Sequence, residues 1–213
     1  MNIAIIGASG FIGSALTQEA LARGYTVRAL VSRPQRMVAA TNLAIIGVDV
    51  LDTEALTKAL DGVEVVISAF SGHAATDVAG YYLQGFTSIL AAVKAQVKAP
   101  RLVMVGGAAS LQLPDGSMLL DSPNFPAEYR ATAAGAYAAL QQLRGQTALS
   151  WTYLSPAAVI FPGEKTGQFR VGADQLLQDA DGNSRISTGD YAVALLNEVQ
   201  HPVQHNRRFS VAY

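Results

Sequence analysis

The stretch that decides the fold is MNIAIIGASGFIGSAL, residues Met1–Leu16. An apolar run of strand type leads into Gly7, and Gly10 and Gly13 follow at intervals of three. The residues after Gly10 have the apolar spacing of a helix, so the glycines occupy a strand-to-helix turn. At such a turn, small residues let the unpaired N–H groups of the helix approach a phosphate ester. The stretch therefore predicts a seat for a pyrophosphate group.

Each glycine has a predicted part in holding a dinucleotide. Gly7 permits the tight turn, Gly10 lets the backbone approach the phosphates, and Gly13 lets the first helix pack closely against the sheet. The motif follows a strand and starts a helix, which is the context that it requires. A tight turn without a ligand is the alternative. The predicted dinucleotide contacts are Gly7, Ala8, Ser9, Gly10, Phe11, Ile12 and Gly13.

Apolar runs and helical patterns alternate along the rest of the chain. Further strand-like runs lie at residues 25–31, 43–50, 63–70, 101–107, 149–156 and 207–213. Helical patterns occupy residues 11–24, 52–62, 78–96, 127–145 and 187–202. This alternation predicts an α/β fold with a doubly wound parallel sheet, helices on both faces and a ligand crevice at the carboxyl ends of the strands. A length of 213 residues is typical of one domain, here residues 1–213.

Two long segments interrupt the alternation, at about residues 108–128 and 161–187. The first contains three prolines, and both are long for connections within a compact domain. Because long loops often carry function, both are predicted to form the substrate side of a site. Within the second segment, residues 167–172 and 175–179 could pair as a small hairpin.

Composition and charge exclude several classes of function. The formal net charge is -1 and no basic stripe is present, so nucleic-acid binding has no support. The chain has no cysteine, which excludes disulfides and thiolate chemistry. No apolar run approaches the ~20 residues of a membrane span and no secretory signal follows Met1, so a cytoplasmic location is predicted. No metal site is predicted, because Pro202 separates His201 from His205 and no carboxylate completes a set.

The end of the second predicted strand bears on the choice of cofactor. Proteins that bind NAD usually place a carboxylate there to bond the ribose 2′-hydroxyl. This chain instead has Ser32, Arg33 and Arg36. A guanidinium group can bind a 2′-phosphate through two parallel hydrogen bonds. The sequence therefore predicts NADP, as NADPH, as the preferred cofactor, and NAD stays open.

The ends of the third and fourth strands are predicted to line the path of the cofactor. Asp49 is placed to contact the adenine amino group with Val50 on the ring, although Asp49 is equally well explained as a turn residue. Ala69 and Phe70 end the fourth strand, where exposed backbone suits a bound cofactor. These four residues extend the predicted contacts beyond the glycine turn.

Several stretches together resemble one protein family. Similarity to the atypical short-chain dehydrogenase/reductase proteins is found in GASGFIG at 7–13, LVSRP at 30–34, VGGAASL at 105–111 and LSPAA at 154–158. The branch that it resembles most is the NmrA-like NADH-flavin reductase group, akin to biliverdin reductase B, over essentially the whole chain. The resemblance implies a Rossmann-like fold, NAD(P) binding and flavin reduction. The residues then expected to border the nicotinamide are Gly106, Gly107, Pro156 and Ala157.

The chain departs from typical members of this superfamily at their catalytic pair. Those members use Tyr-x-x-x-Lys, in which the lysine lowers the pKa of the proton-donating tyrosine. No tyrosine of this chain has a lysine four residues later; three examples are Tyr129 with Ala133, Tyr137 with Gln141 and Tyr153 with Ala157. The acid–base pair for alcohol–ketone chemistry is therefore missing. Hydride transfer to a flavin needs mainly the alignment of two rings, so it does not require that pair.

Three residues are predicted to serve catalysis. Ser110 follows the fifth strand, where related reductases place a serine that can hydrogen-bond substrate or cofactor; otherwise it caps the loop. Tyr129 opens the fourth helix near the place of the missing tyrosine and either contacts the substrate or packs in the core. His73 follows the fourth strand and is either a proton source or an exposed loop histidine.

Three functions are compatible with these observations. The first is an enzyme that transfers hydride from NAD(P)H to a small planar acceptor, such as a flavin or a quinone-like molecule. The second is a non-catalytic NADP(H)-binding redox sensor, which the missing pair favours. The third is a nucleotide-sugar epimerase-like enzyme, which ranks last because such enzymes generally keep Tyr-x-x-x-Lys. The sequence leaves monomer and homodimer both open.

Overall fold

The central sheet follows the apolar runs of the sequence. The computed structural model describes residues 1–73 and 75–213. Its strands are β1 (Asn2–Ile6), β2 (Thr26–Val31), β3 (Leu43–Gly47), β4 (Val65–Ser68), β5 (Arg101–Val105), β6 (Trp151–Ser155), β7 (Val159–Phe161), β8 (Arg170–Gly172), β9 (Arg185–Ser187) and β10 (Arg207–Ala212). The main sheet has the order β3-β2-β1-β4-β5-β6-β10-β8 and is parallel except for β8, which runs antiparallel to β10. β7 and β9 form a separate parallel pair.

Five α-helices cover the two faces of this sheet. They are α1 (Phe11–Ala22), α2 (Thr53–Ala59), α3 (Val78–Lys94), α4 (Arg130–Arg144) and α5 (Thr188–Gln200). Apolar residues of α1 and α5 pack in one core, whereas those of α2, α3 and α4 pack in the core on the other face. Along β4 the side chains alternate between the cores, with Ile67 in the first and Val66 in the second. This arrangement is the predicted Rossmann-like, doubly wound fold.

The crevice of the sheet lies where the strand order reverses. β1 pairs with β2 on one side and with β4 on the other, and the chain proceeds outward from there in both directions. The helices that follow β1 and β4 lie on opposite faces, which leaves space between their N-termini. The N–H of Ala69 after β4 donates to the carbonyl oxygen of Ile6 at 2.9 Å, so the two strand ends meet at this point.

Most element boundaries agree with the predicted signals, with two differences. α2 begins within the helical pattern predicted at residues 52–62, and Asp52 caps it, because its Oδ1 accepts a hydrogen bond from the N–H of Ala55 at 2.9 Å. α4 begins at Arg130, three residues later than predicted, since the preceding residues form a separate 3-10 turn. β3 ends at Gly47, so the last three residues of the predicted strand lie in the connection to α2.

The predicted hairpin within residues 167–179 is wrong. β8 pairs antiparallel with β10, and Gln175 instead makes an isolated bridge to Gln112. The outer edge of β10 explains this difference. Five of the six residues of β10 are buried, so the backbone groups along that edge need hydrogen-bond partners. A short strand from the loop supplies those partners.

A buried arginine ties the two long loops together. The side chain of Arg208 on β10 is 3% exposed. Its Nη1 donates to the carbonyl oxygen of Ser110 at 3.0 Å and to the hydroxyl of the same residue at 2.8 Å. Its Nε donates to Oδ1 of Asp174 at 2.7 Å. One cation therefore holds the loops of residues 108–128 and 161–187 against the sheet.

A buried carboxylate anchors the second loop to α5. Asp190 accepts hydrogen bonds from the N–H groups of Thr166 and Gly167, at 2.8 and 2.7 Å. The hydroxyl of Tyr213 donates another, at 2.7 Å. Burial would raise the pKa of Asp190, but these hydrogen bonds outweigh it and hold the pKa below its ordinary value. The N–H of Asp190 donates to the hydroxyl of Ser187, the N-cap of α5, at 3.0 Å.

Candidate functional site

The glycine turn has a geometry that requires glycine at two positions. Gly7 has a φ of +78°, and a Cβ there would lie 2.7 Å from the carbonyl oxygen of Ala69. A Cβ on Gly13 would overlap the carbonyl oxygen of Gly7. α1 therefore begins directly against the turn, and the close contact of Gly13 is with the turn itself rather than with the sheet.

The N-terminus of α1 is open toward the crevice. Gly10 is the N-cap and, having no side chain, leaves the first turn uncapped. The first turn carries no acidic residue, and Ser9, Gly10 and Phe11 are exposed. Unpaired N–H groups and the positive end of the helix dipole favour an anion here. The residues present therefore fit the pyrophosphate of a dinucleotide.

The first cavity, of about 190 Å³, extends from the glycine turn over the ends of β2 and β3. Eight of its lining residues are predicted cofactor contacts, namely Gly7, Ser9, Gly10, Ser32, Asp49, Val50, Ala69 and Phe70. Val48 and Tyr81 also line it and are absent from the predictions. Oδ1 of Asp49 accepts a hydrogen bond from the N–H of Leu51 at 3.0 Å, so this residue both supports a turn and faces the cavity.

The two arginines predicted to select the cofactor flank this cavity without lining it. Ser32 lies in the wall, whereas Arg33 and Arg36 begin and end the exposed 3-10 turn after β2. An exposed guanidinium beside an open cavity can meet a phosphate at its mouth. The preference for NADP over NAD stays a prediction.

The second cavity, of about 230 Å³, continues from the first. The two cavities share Gly10, Ala69, Phe70 and Ser71. Five predicted residues line only the second cavity, namely Phe11, Ile12, His73, Gly106 and Gly107. One continuous cleft therefore has two compartments that meet at Phe70.

Two helix faces that are absent from the sequence predictions complete the second cavity. Val78 and Tyr82 lie one turn apart on α3, and Thr132 and Ala136 lie one turn apart on α4. Residues four apart share one face of a helix, so each pair is visible in the sequence. The convergence of the two faces depends on the packing of α3 against α4, which no local signal reports.

The ring of Phe70 is fixed by its neighbours. It stacks on the ring of Tyr82, with centroids 5.9 Å apart and an interplanar angle of 4°. It meets the ring of Tyr81 at 5.6 Å and 58°. A Cβ on Gly85 of α3 would overlap the ring of Phe70. Because Gly85 has no side chain, α3 leaves space for the ring of Phe70, which lines both cavities.

One wall of the second cavity is backbone supported by a buried tyrosine. The N–H of Gly107 donates to the hydroxyl of Tyr153 at 3.0 Å, and that hydroxyl donates to the carbonyl oxygen of Ala136 at 3.2 Å. Burial raises the pKa of Tyr153 to about 12. Tyr153 therefore supports the backbone of Gly107 from behind the wall, and it does not itself line the cavity.

Five further predicted residues lie outside the lining of both cavities. Ser110 is buried, and its hydroxyl accepts a hydrogen bond from the arginine of β10; its contact with the nicotinamide stays a prediction. Tyr129 is 57% exposed, because the 3-10 turn before α4 carries its side chain outward. Ala8 and Ala157 belong to the hydrophobic core, and Pro156 is buried beside it.

His73 is the catalytic candidate that the structure brings to the second cavity. Its Nε2 lies 3.5 Å from Oγ1 of Thr132 on α4, and both residues line the cavity. This distance is long for a hydrogen bond. Catalytic contacts of this kind often tighten only when a ligand binds. The two side chains form a polar corner in a mainly apolar cavity.

The described residues contain neither a metal cluster nor a membrane-spanning helix. Within residues 1–73 and 75–213, no three histidine, aspartate or glutamate side chains gather as metal ligands would. In the same part of the chain, every helix is too short or too polar to cross a membrane. The cytoplasmic location stays a prediction.

Known proteins share both the sequence pattern and the fold of this chain. A family model described as NAD(P)H-binding matches residues 7–199. The uncharacterized protein YwnB of Bacillus subtilis (strain 168) is 37% identical over 214 residues, which cover 99% of this chain and 98% of YwnB.

Two solved structures match over the whole chain. A "putative epimerase" from Bacteroides thetaiotaomicron has a TM-score of 0.92 and 35% identity, and the match covers 100% of this chain and 96% of that one. A "putative NADH-flavin reductase" from Streptococcus pneumoniae TIGR4 has a TM-score of 0.88 and 31% identity, with 100% and 99% covered. The two names imply different reactions, although both proteins have the same fold.

Proposed function

The chain belongs to the NAD(P)H-binding family, and on this basis we propose that it is an NAD(P)H-dependent oxidoreductase that transfers a hydride to a flavin or a similar planar acceptor. The observation that carries the proposal is the second cavity, which opens from the dinucleotide cleft at Phe70. A nicotinamide in the cleft and an acceptor in this cavity would lie side by side. Holding two reactants in a productive geometry supplies much of the catalysis that hydride transfer requires.

The walls of the second cavity suit a flat and largely apolar molecule. Phe70 and Tyr82 contribute aromatic rings, and Gly107 contributes bare backbone. Aromatic rings favour offset stacking with other flat rings. The side chains of His73 and Thr132 offer hydrogen bonds at one corner, where they would orient the acceptor.

We infer that NADPH is the preferred reductant. Ser32 lines the first cavity, and Arg33 and Arg36 stand on the exposed turn beside it. A dinucleotide with its pyrophosphate at the N-terminus of α1 would extend its adenosine toward β2 and β3. Its 2′-phosphate would then lie near the two guanidinium groups. NADH is the alternative reductant, since the family match covers both.

Two other functions compete with this proposal. A non-catalytic NADP(H)-binding redox sensor is favoured by the missing Tyr-x-x-x-Lys pair and predicts cofactor binding without turnover. An epimerase-like reaction is suggested by the name of the Bacteroides relative. However, Tyr129 is exposed, Tyr153 has its hydroxyl between two backbone groups, and neither lines either cavity, so neither is placed for the acid–base role in such a reaction. We rank the epimerase last.

Turnover with a panel of acceptors tests the proposal. The purified protein is mixed with NADPH or NADH and with FMN, riboflavin or a quinone, and loss of the reduced-nicotinamide absorbance is followed. We expect steady oxidation with at least one acceptor, and faster oxidation with NADPH than with NADH. Gly13→Ala is the control for cofactor-dependent turnover, because its Cβ would overlap Gly7. Tight NADPH binding without turnover of any acceptor would instead support the sensor.

A further inference from the structure

The second cavity contains one polar pair whose members come from different elements. His73 follows β4, and Thr132 lies in the first turn of α4, 59 residues later. The imidazole Nε2 and the hydroxyl Oγ1 are 3.5 Å apart, and both residues line the cavity. A threonine hydroxyl can donate one hydrogen bond while it accepts another. A single ligand oxygen can therefore contact both side chains.

Apart from the N-terminus of α1, which the pyrophosphate of the proposed cofactor would occupy, the described residues of this cavity offer a charged ligand no fixed opposite charge. Its described lining residues include no lysine, arginine, aspartate or glutamate. Tyr82 contributes a phenol, and burial, together with the nearby Tyr153, raises the pKa of Tyr82 far above its ordinary value. A phosphate on the acceptor would lose its water here without gaining a fixed opposite charge, which is costly. An uncharged acceptor is compatible with this lining.

We propose that Thr132 and His73 bind the carbonyl oxygen of an uncharged, quinone-class acceptor and that His73 gives this oxygen its proton. The inference rests on the proposed reductase function and narrows the acceptor to planar rings with a carbonyl group and no phosphate. Both side chains touch the acceptor and are catalytic residues. Thr132 is the hydrogen-bond donor and His73 is the general acid.

The reaction that this pair serves balances without a further reagent. Reduction of a quinone to a hydroquinone takes up one hydride, which carries two electrons, and one proton. When bound, the reduced nicotinamide supplies the hydride and is oxidised. The hydride forms an O–H bond at one quinone oxygen, and the other oxygen becomes an anion. A ring N–H of His73 gives its proton to that anion, and the exposed ring takes up a proton from solvent in return.

Two other hydroxyl groups, those of the predicted catalytic residue Ser110 and of Tyr153, make contacts outside this cavity. The hydroxyl of Ser110 accepts a hydrogen bond from Arg208 at 2.8 Å. The hydroxyl of Tyr153 lies between the backbone of Gly107 and that of Ala136. Neither residue lines the second cavity. We therefore assign proton delivery at this cavity to His73, which lies beside Thr132.

Binding without turnover tests the pair directly. Menadione, an uncharged quinone, is titrated calorimetrically into protein saturated with NADP+, which has no hydride to give. Thr132→Val keeps the side-chain shape and removes the hydroxyl, and we expect it to weaken menadione binding about tenfold, or about 1.4 kcal/mol. Thr132→Ser should retain the wild-type affinity. Thr87→Val on the exposed face of α3 is the matched control and should leave binding unchanged.

Turnover separates the proton step from acceptor binding. With menadione and saturating NADPH, we expect His73→Gln to lower kcat about 100-fold, with a much smaller change in KM. His201→Gln, at the exposed C-terminal end of α5, is the matched control and should keep the wild-type rate. We expect NADPH affinity to change little in every variant, because the pair lies outside the glycine turn and the first cavity, which would hold the pyrophosphate and the adenosine.

The possible outcomes distinguish this inference from the function on which it rests. Turnover of menadione at the wild-type rate by Thr132→Val and His73→Gln would overturn the role of the pair. A preference for FMN over both menadione and riboflavin would overturn the uncharged acceptor and leave the reductase function intact. NADPH binding without turnover of any acceptor would overturn the reductase function itself.

Discussion

The crevice at the strand ends and the layer of long loops are built in opposite ways. The crevice depends on missing side chains, since Gly7 and Gly13 leave room for the turn and Gly85 leaves room for an aromatic wall. The loops depend on side chains that are present, because Arg208 and Asp190 each tie distant segments together. The glycine turn is therefore encoded by local backbone geometry, whereas the layer of long loops is held by long-range pairs, and neither loop lines either cavity.

Filling the empty space at Gly13 should have the largest effect. A Cβ there would overlap the carbonyl oxygen of Gly7, so the turn or the start of α1 must move. We expect Gly13→Ala to weaken NADPH binding on the order of 100-fold, about 2.7 kcal/mol, in a fluorescence titration. In the control, Gly145→Ala, the Cβ meets the carbonyl oxygen of Gln142 at an ordinary 3.4 Å. Equal NADPH affinities of Gly13→Ala and Gly145→Ala would contradict a binding site that requires the absence of a side chain at Gly13.

Removing the buried cation should damage the loops and spare the crevice. Arg208→Met leaves Ser110 and Asp174 without their donor. Asp174 is 44% exposed, so solvent offsets part of the loss, and we expect the free energy of unfolding to fall by about 2 kcal/mol. Urea unfolding measures this, with the exposed neighbour Arg207→Met as the control. If NADPH affinity fell in parallel with stability, the two regions would not be independent.

The carboxylate of Asp190 should make the loop anchor sensitive to pH. Folding lowers the pKa of Asp190, so the contribution of this carboxylate to the free energy of unfolding is present above the unfolded pKa of ~3.9. This contribution is lost as the pH falls through the pKa of the folded state. Asp190→Asn should lower the free energy of unfolding by about 1 kcal/mol at neutral pH, and this difference from wild type should shrink in acid. Urea titrations in both conditions measure it, with the exposed Asp181→Asn as the control. A pH-independent difference would mean that the charge does not anchor the loop.

The smallest effect is expected at the mouth of the first cavity. Arg33 is exposed, so Arg33→Ala should weaken NADPH binding by only about fivefold and leave NADH binding unchanged. Calorimetric titration with each dinucleotide measures this selectivity, and Arg207→Ala provides an exposed arginine far from the cleft. Equal losses for the two dinucleotides would refute a contact with the 2′-phosphate.

The fold and the first cavity were predictable because their determinants are local. Gly7, Gly10 and Gly13 stand next to the strand that they follow, and Ser32 and Asp49 are reached from the ends of neighbouring strands. The parallel strand order then brings these positions to one edge of the sheet. Short sequence distances and a general rule of sheet topology were therefore sufficient.

The second cavity was only partly predictable because its lining depends on tertiary packing. Thr132 reaches the cavity because α4 packs against α3, and no residue near it in the sequence indicates this. Ser110 lies outside the lining of the cavity, and its hydroxyl accepts a hydrogen bond from Arg208, which is 98 residues later. The hairpin prediction failed for the same reason, since β10 offered β8 an edge that lay outside the local sequence.

β8 covers an edge that would otherwise attract other chains. β10 is the last parallel strand of the sheet, and the three residues of β8 pair along its outer side. An uncovered edge strand is a template for pairing with another molecule. Because β8 belongs to the loop that Arg208 and Asp190 hold, we expect weakening of either contact to expose β10 and to promote aggregation. The two residues that hold the loop layer in place therefore also keep β8 on this edge of the sheet.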